Sequence, residues 1–357
     1  MALSTIYDVH TGKVLFRSYF GDKGALKKAH KQGISLANAD FRRRSLEGTK
    51  FENLDVTDAH FGRAYMTHAR WKGTKAHRTS FKGTLFKWAR FESGDFTNAR
   101  MRNVSFSRSD IKDCDFTTAL LLSARFRKSD LQGSTFRRAR MDYMSAHQSN
   151  LRGIDIRQAE WRRGWLEETN LQGIRAGMAD MRECKFDSCA GMGASFFRTT
   201  LTGAKFIKGD FTDVDFRKAD MRGVSFRATV LAGADFRETD LRKADLKGAD
   251  LSRVDLSKAK LAGADFRGAR MTGAVISEST FRNIRLRDLL EYDGMMVVNA
   301  QGDLVRRYVG TRLVRPATSP VPKPRPAPQP VVGTAKTDPV PPKKVQRRRP
   351  VASFPRL

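Results

Sequence analysis

The sequence predicts an all-β fold, a rod-shaped parallel β-helix, and two observations carry that prediction: a five-residue repeat that runs through most of the chain, and the confinement of proline to its end. Every fifth residue from Leu36 reads Leu36, Phe41, Leu46, Phe51, Val56, Phe61, Met66, Trp71, and the frame continues unshifted to Leu286. Of these 51 positions, 47 are Phe, Leu, Ile, Met, Val or Trp; the exceptions are Ala76, Ala146, Ala176 and Gly191. Twenty of the 24 phenylalanines fall in this one frame, which marks it as a core position. All twelve prolines lie between Pro316 and Pro355. Proline cannot donate to a ladder of backbone hydrogen bonds, so a proline-free stretch of 315 residues suits a chain whose amides all serve such ladders.

A second position is just as regular. Two residues before each large apolar residue, 44 of 51 positions are Ala, Ser, Thr, Cys, Gly or Val. A period of five fits neither a helix nor a flat strand. It requires a coil in which each five-residue segment makes one straight side and one corner, with a large and a small side chain both facing the axis. Stacked coils then satisfy each other's backbone groups, as in a parallel sheet, at about 4.8 Å per layer.

The cleanest stretch reads Ala234-Asp235-Phe236, Ala244-Asp245-Leu246, Ala249-Asp250-Leu251, Ala264-Asp265-Phe266. It resembles the pentapeptide-repeat family, whose consensus is Ala-Asp/Asn-Leu/Phe-x-x, and the resemblance covers residues 34–288. It implies a right-handed quadrilateral parallel β-helix with four repeats per coil, hence about thirteen coils and a rod of about 60 Å. The weakest place in the array is residues 189–193, where the frame survives but Gly191 stands in the core position.

The remaining elements follow in order. Residues 1–33 read as an N-terminal cap: a hairpin over residues 5–20 turning at His10-Thr11-Gly12, then a short helix over about 23–32 stopped by Gly33 at the C′ position. Caps are expected because the two ends of a β-helix are sheet edges that invite aggregation. After the array, residues 288–292 suit a helical turn, and Met295–Tyr308 reads as a second hairpin around Asn299-Ala300-Gln301-Gly302. Residues 289–315 are thus a C-terminal cap, and relatives make them a candidate homodimer surface. Residues 316–357 form a disordered tail rich in Pro, Arg and Lys, extended where prolines alternate.

Candidate chemistry is sparse. Cys114, Cys184 and Cys189 all occupy the small inward position, which makes them core fillers. The six histidines have no metal-ligand spacing to Cys or to one another, and neither HExxH nor CxxC occurs. Asp residues preceding the core position, such as Asp220, Asp235, Asp240 and Asp245, recur along the array and are structural, bonding local backbone. Arg two positions later, as in Asp220/Arg222, makes surface ion pairs. The expectation is therefore no enzyme, no cofactor, no metal and no small-molecule substrate. The N-terminus lacks the features of a signal peptide and no 18-residue apolar run is present, so a soluble cytoplasmic protein is expected.

Charge points to the partner. Lys and Arg outnumber Asp and Glu by 67 to 38, a net charge of +29, which favours anionic partners. With four repeats per coil, residues twenty apart stack on one side. Side one holds Phe41, Phe61 and Phe81; side two Leu46, Met66 and Phe86; side three Phe51 and Trp71; side four Leu36 and Val56. Their outward positions sum to +8, +6, 0 and +1, so a positive strip occupies two adjacent sides. Candidate polyanion contacts are Arg100, Arg102, Arg125, Arg127, Lys128, Arg162, Arg163, Lys205 and Lys208 on the rod, and Lys343, Lys344, Arg347, Arg348 and Arg349 in the tail. Few aromatics occupy outward positions beside the basic residues, Trp88, Trp165 and Phe197 being exceptions, which argues against base stacking on single strands.

The leading expectation is a non-catalytic scaffold that binds a polyanion, DNA or RNA first, or an acidic protein. The best-known branch of the resembled family protects or inhibits DNA gyrase by mimicking DNA. That activity needs a negative rod, so a gyrase- or topoisomerase-interacting role is disfavoured by the charge. A structural or assembly protein of a bacterial or phage particle, and an effector that binds a host protein through the tail, complete the set of roles compatible with this chain.

Overall fold

The computed structural model describes residues 4–314 apart from 20, 283 and 311; the tail expected at 316–357 lies outside the described residues. The chain is a quadrilateral parallel β-helix, right-handed as parallel crossovers are, and its twenty-residue turn is set by hydrogen bonds. Asp40 pairs with His60, His60 with Ser80, and so on in an unbroken parallel ladder of eleven steps to Lys260. Eleven steps join twelve layers, one short of the thirteen coils the repeat count implies, because the last repeats are built into the C-terminal cap. Phe41 N–H donates to the His60 carbonyl (2.7 Å) and Arg43 N–H to the Gly62 carbonyl (3.0 Å), while His60 N–H donates to the Ala39 carbonyl (2.9 Å). Three of the five backbone donors in a repeat such as residues 61–65 are spent in this way on neighbouring coils.

Each corner is closed within its own repeat, as where Ala64 N–H donates to the Phe61 carbonyl (3.0 Å). The corner residue adopts a left-handed backbone. From Asn38 to Gly273 every such position, 48 in succession, has positive φ, yet only fourteen are glycine. The conformation costs a residue with a Cβ about 1–2 kcal/mol, and the ladders on either side of each corner hold it there. On side two the segments straighten into a seven-stranded parallel sheet, from Leu85–Lys87 to Lys205–Ile207. On side three Arg70–Lys72, Arg90–Glu92 and Asp110–Lys112 form a three-stranded sheet.

The axis is filled by the two inward positions. Phe86, Phe106 and Phe126 stack at 4.8 and 4.9 Å, and Phe96, Phe116 and Phe136 at 5.2 and 4.8 Å. The missing core residue at Gly191 is replaced from the next coil: the Phe211 ring lies where a Cβ on Gly191 would be. The small inward residues also have a polar task. Thr74, Thr79 and Thr84 hydroxyls donate to the carbonyls of Phe51, Val56 and Phe61 on the coil before, at 2.6–2.8 Å. Where the sheets straighten a corner, hydroxyls accept instead, as in Ala89 N–H to Ser109 Oγ and Ser109 N–H to Ser129 Oγ.

At the N-terminal end, strands Ser4–Tyr7 and Val14–Ser18 form an antiparallel hairpin. It covers the first coil's edge, with Val9 N–H donating to the Asn38 carbonyl and Asp40 N–H to the Tyr7 carbonyl. The helix Gly21–Lys31 buries Ala25, Leu26 and Ala29 against the core. It ends at Gly33 (φ +63°), where Ile34 N–H donates to the Ala29 carbonyl, a left-handed helix stop. Arg44, the one cation at an inward position, pins this cap: its guanidinium donates to Asp22, Ser4 Oγ and the Thr5 carbonyl.

At the other end the five-residue frame, unbroken in the sequence to Leu286, slips by one residue. Arg270 pairs with Glu291 and Val275 with Met296, each twenty-one apart. The cause is a helical turn, Glu278–Phe281, capped by Ser277, whose hydroxyl accepts from Thr280 N–H. The hairpin Met296–Val298 with Leu304–Val309 then closes the rod. No described helix is long and apolar enough to cross a membrane.

Candidate anion-binding face

The commonest polar unit on the surface is an Asp–Arg clamp. Asp in the position before the core residue accepts the backbone N–H two residues on, and its carboxylate is gripped by the Arg there. Arg242 N–H and Nε donate to Asp240 Oδ1 at 3.2 and 2.9 Å, and Nη2 to Oδ2 at 2.7 Å. The same clamp recurs at Asp180/Arg182, Asp220/Arg222 and Asp265/Arg267. These guanidinium contacts hold the carboxyls of Asp220, Asp240 and Asp265 below the usual carboxylate range. Coils also pair with one another. The nearly buried Asp155 carboxylate faces Arg137 and Arg157 at 2.7 Å and Arg175 at 3.5 Å.

These pairs divide the expected positive strip along its length. From residue 40 to 128 the outward positions of sides one and two hold eleven Lys or Arg against Asp40 and Glu47. Ten of the eleven make no ion pair among the described residues: Arg43, Arg63, Lys82, Arg100 and Arg102 on side one, Lys87, Arg108, Arg125, Arg127 and Lys128 on side two. Only Arg42 is paired, with Asp40. From residue 140 to 267 the same sides hold fourteen cations against eleven carboxylates. Most of these cations are clamped. The strip is therefore not continuous; it is a basic face on the N-terminal half.

The expected contacts separate accordingly. Arg100, Arg102, Arg125, Arg127 and Lys128 are exposed and lie together on that half; Arg125 and Arg127 flank buried Phe126 in one strand of the side-two sheet. Arg162 and Arg163 do not belong with them. Arg162 is bound to Asp142 (2.8 Å) and Glu160 (3.0 Å), and Arg163 to Glu183 (2.9 Å) and the Tyr143 hydroxyl (2.7 Å). Lys205 and Lys208 are exposed and make no ion pair among the described residues, but sit four coils further on, apart from the main face. Lys343, Lys344, Arg347, Arg348 and Arg349 lie outside the described residues. Charge sums by side miss Arg70, Arg90, Lys87 and Arg108 as a group, and they surround Trp88. The indole stacks on His68 (5.2 Å, 10°), with Lys87 Nζ 4.2 Å and the Arg108 guanidinium 5.7 Å from the ring. The twenty-residue spacing of His68, Trp88 and Arg108 is the sequence signal for this stack.

The thiols are inert by environment. Burial pushes Cys114 and Cys189 up to about 12 and Cys184 upward as well. Among the described residues no group of three or more His, Cys, Asp or Glu is placed to hold a metal ion.

A family model described as pentapeptide repeats matches eight copies of the unit, over residues 84–121, 120–158, 194–231, 219–257 and 249–288. Among solved structures the chain is similar to HetL, a pentapeptide repeat protein involved in heterocyst differentiation regulation from the cyanobacterium Nostoc sp. strain PCC 7120. The identity is 19%, covering 70% of this chain and 96% of that one, with a TM-score of 0.23. It is also similar to full-length QnrB1, a plasmid-mediated fluoroquinolone resistance protein, at 19% identity over 61% of this chain and 96% of that one, TM-score 0.30. A pentapeptide repeat protein of the Arabidopsis thaliana thylakoid lumen is 25% identical over 34% of this chain and 65% of its own, TM-score 0.13. No curated protein matches the chain. Likenesses at this level say nothing of partner or activity.

Proposed function

This chain is a pentapeptide-repeat protein, and we propose that it is a non-catalytic binding scaffold whose N-terminal half presents a basic face to a polyanion, nucleic acid first. One observation carries the reading: ten unpaired cations gather on two adjacent sides between residues 43 and 128, on a molecule that elsewhere clamps most of its arginines. Unpaired cations held on a rigid frame release counterions when phosphates replace them, which supplies affinity without base recognition. Two features support a non-catalytic role. The axis is packed with stacked side chains, and the three thiols are buried and held protonated.

The test is retardation of duplex DNA across a salt series. Affinity should fall steeply with salt, and Arg125→Glu with Arg127→Glu should lower the log–log salt slope by about two, since each phosphate contact contributes about 0.9. Arg182→Gln, which removes a cation already clamped by Asp180, should leave the slope unchanged. Absence of a complex at low salt would refute the nucleic-acid reading. Binding of an acidic protein with the same dependence on Arg125 and Arg127 would replace it.

A further inference from the structure

A notch of about 440 Å³ lies where side two turns into side three, lined by His68, Arg70, Trp88, Ala89, Arg90, Arg108 and Asp110. Its size falls within the range of small-ligand sites. Two ladders make its walls. The corner ladder His68, Trp88, Arg108 is one, consolidated by the ring stack and the cation above it. The other is the run of strand starts Arg70, Arg90, Asp110, register partners in the three-stranded sheet. Buried Ala89, a methyl, leaves the floor open between them.

The charges here are unlike those of any clamp. Arg70 and Arg90 stand directly opposite on neighbouring strands, about 4.8 Å apart at the backbone, where like charges repel. Neither they nor Arg108 makes an ion pair among the described residues. The one carboxylate, Asp110, closes the lower end and is not bound to any of them. Three guanidiniums against one carboxylate leave +2 facing a single concavity. A phosphomonoester carries about −1.5 to −2 at neutral pH, and the forked donors of arginine match its oxygens two at a time. A backbone phosphodiester, with one charge, would leave the notch half neutralised.

We propose that this notch is a phosphomonoester site for the terminal phosphate of a nucleic acid, with Arg70, Arg90 and Arg108 as its donors and Trp88 as its wall. The proposal rests on the reading of the N-terminal half as the anion-facing part of the rod; it shares Arg108 with the basic face, while Arg70 and Arg90 lie outside that face and Arg125 and Arg127 take no part in the notch.

Trp88 supplies the readout. Trp71 and Trp161 are buried, so Trp165→Phe leaves Trp88 as the exposed indole. In that variant of the full chain, inorganic phosphate should change the emission saturably, and sodium chloride at matched ionic strength should not. Arg90→Gln and Arg70→Gln should each weaken phosphate by about tenfold, the scale of a charge-assisted hydrogen bond, with unchanged thermal midpoints. A duplex with 5′-phosphate ends should then compete with inorganic phosphate better than the same duplex with 5′-hydroxyl ends; equal competition by the two duplexes, with a phosphoserine peptide competing where its unmodified form does not, would overturn the nucleic-acid terminus as occupant. A phosphate response equal to that of chloride, or one indifferent to Arg90→Gln, overturns the site. If duplex retardation still depends on Arg125 and Arg127 in that case, the notch alone falls; if it does not, the basic face falls with it.

Discussion

Asp240 shows how one residue serves backbone, surface and stability together. Its carboxylate accepts the Arg242 amide and is gripped by the Arg242 guanidinium, so proton loss is favoured in the folded state. The same holds for Asp220 and Asp265. A carboxyl whose folded value is depressed contributes stability above its unfolded value, about 3.9, and loses it as pH falls through the folded value. The clamps should therefore contribute in full from neutral pH to about pH 5, and the thermal midpoint should fall progressively below about pH 4; a midpoint that rises on acidification below about pH 4 would contradict the clamp. The Asp–Arg spacing was legible in the sequence as a structural unit. Pairs between coils, such as Arg227 with Asp245 at 2.5 Å and Arg163 with Glu183, were not, because they depend on which rotamer reaches across a step of about 4.8 Å. For that reason Arg162 and Arg163 look free in the sequence and are bound in the fold.

At the scale of the coil, large and small residues trade space along the axis. Gly191 and Phe211 are one such exchange: a Cβ on Gly191 would collide with Cδ1 and Cε1 of the Phe211 ring. Gly191→Ala should lower stability by about 1–3 kcal/mol, the usual penalty for overpacking. Phe211→Leu in the same chain should return part of it, as read by denaturant midpoints; a double-variant loss equal to the sum of the two single losses would show that the two sites are independent. The inward frame was readable from Leu36 to Ile276 because burial leaves a period in the residues themselves. The left-handed corners were not. Trp88, Tyr143, Glu168 and Lys208 all turn with positive φ, and nothing in those side chains favours it; the ladders impose it. The slip near the C-terminus was hidden as well, since Phe281 keeps the five-residue frame while Ser277 and Thr280 start a helical turn.

The molecule as a whole is a stack in which each layer is fastened to the one above and below, and its basic half is a matter of where compensation stops. Because the inward positions recur every five residues, removal of residues 131–135 or of residues 131–150 should give a folded rod with a cooperative melt. Removal of residues 131–133 should not, because it turns Phe136 and its successors towards water. Far-UV circular dichroism with thermal melts distinguishes these outcomes, and a stable three-residue deletion would contradict the packing. The charge totals of the four sides and their split along the rod can be counted in the sequence; which cations are already paired cannot, because pairs such as Arg163 with Glu183 depend on contacts twenty residues apart.

The twenty-residue turn makes the chain a dial with four positions. Excising a full turn shortens the rod and leaves every feature facing as before. Excising one repeat advances all that follows by a quarter revolution, which would swing Lys205 and Lys208 out of line with Arg125 and Arg127 while altering neither pair. Orientation between distant parts of this protein is thus written in chain length, in steps of a quarter turn.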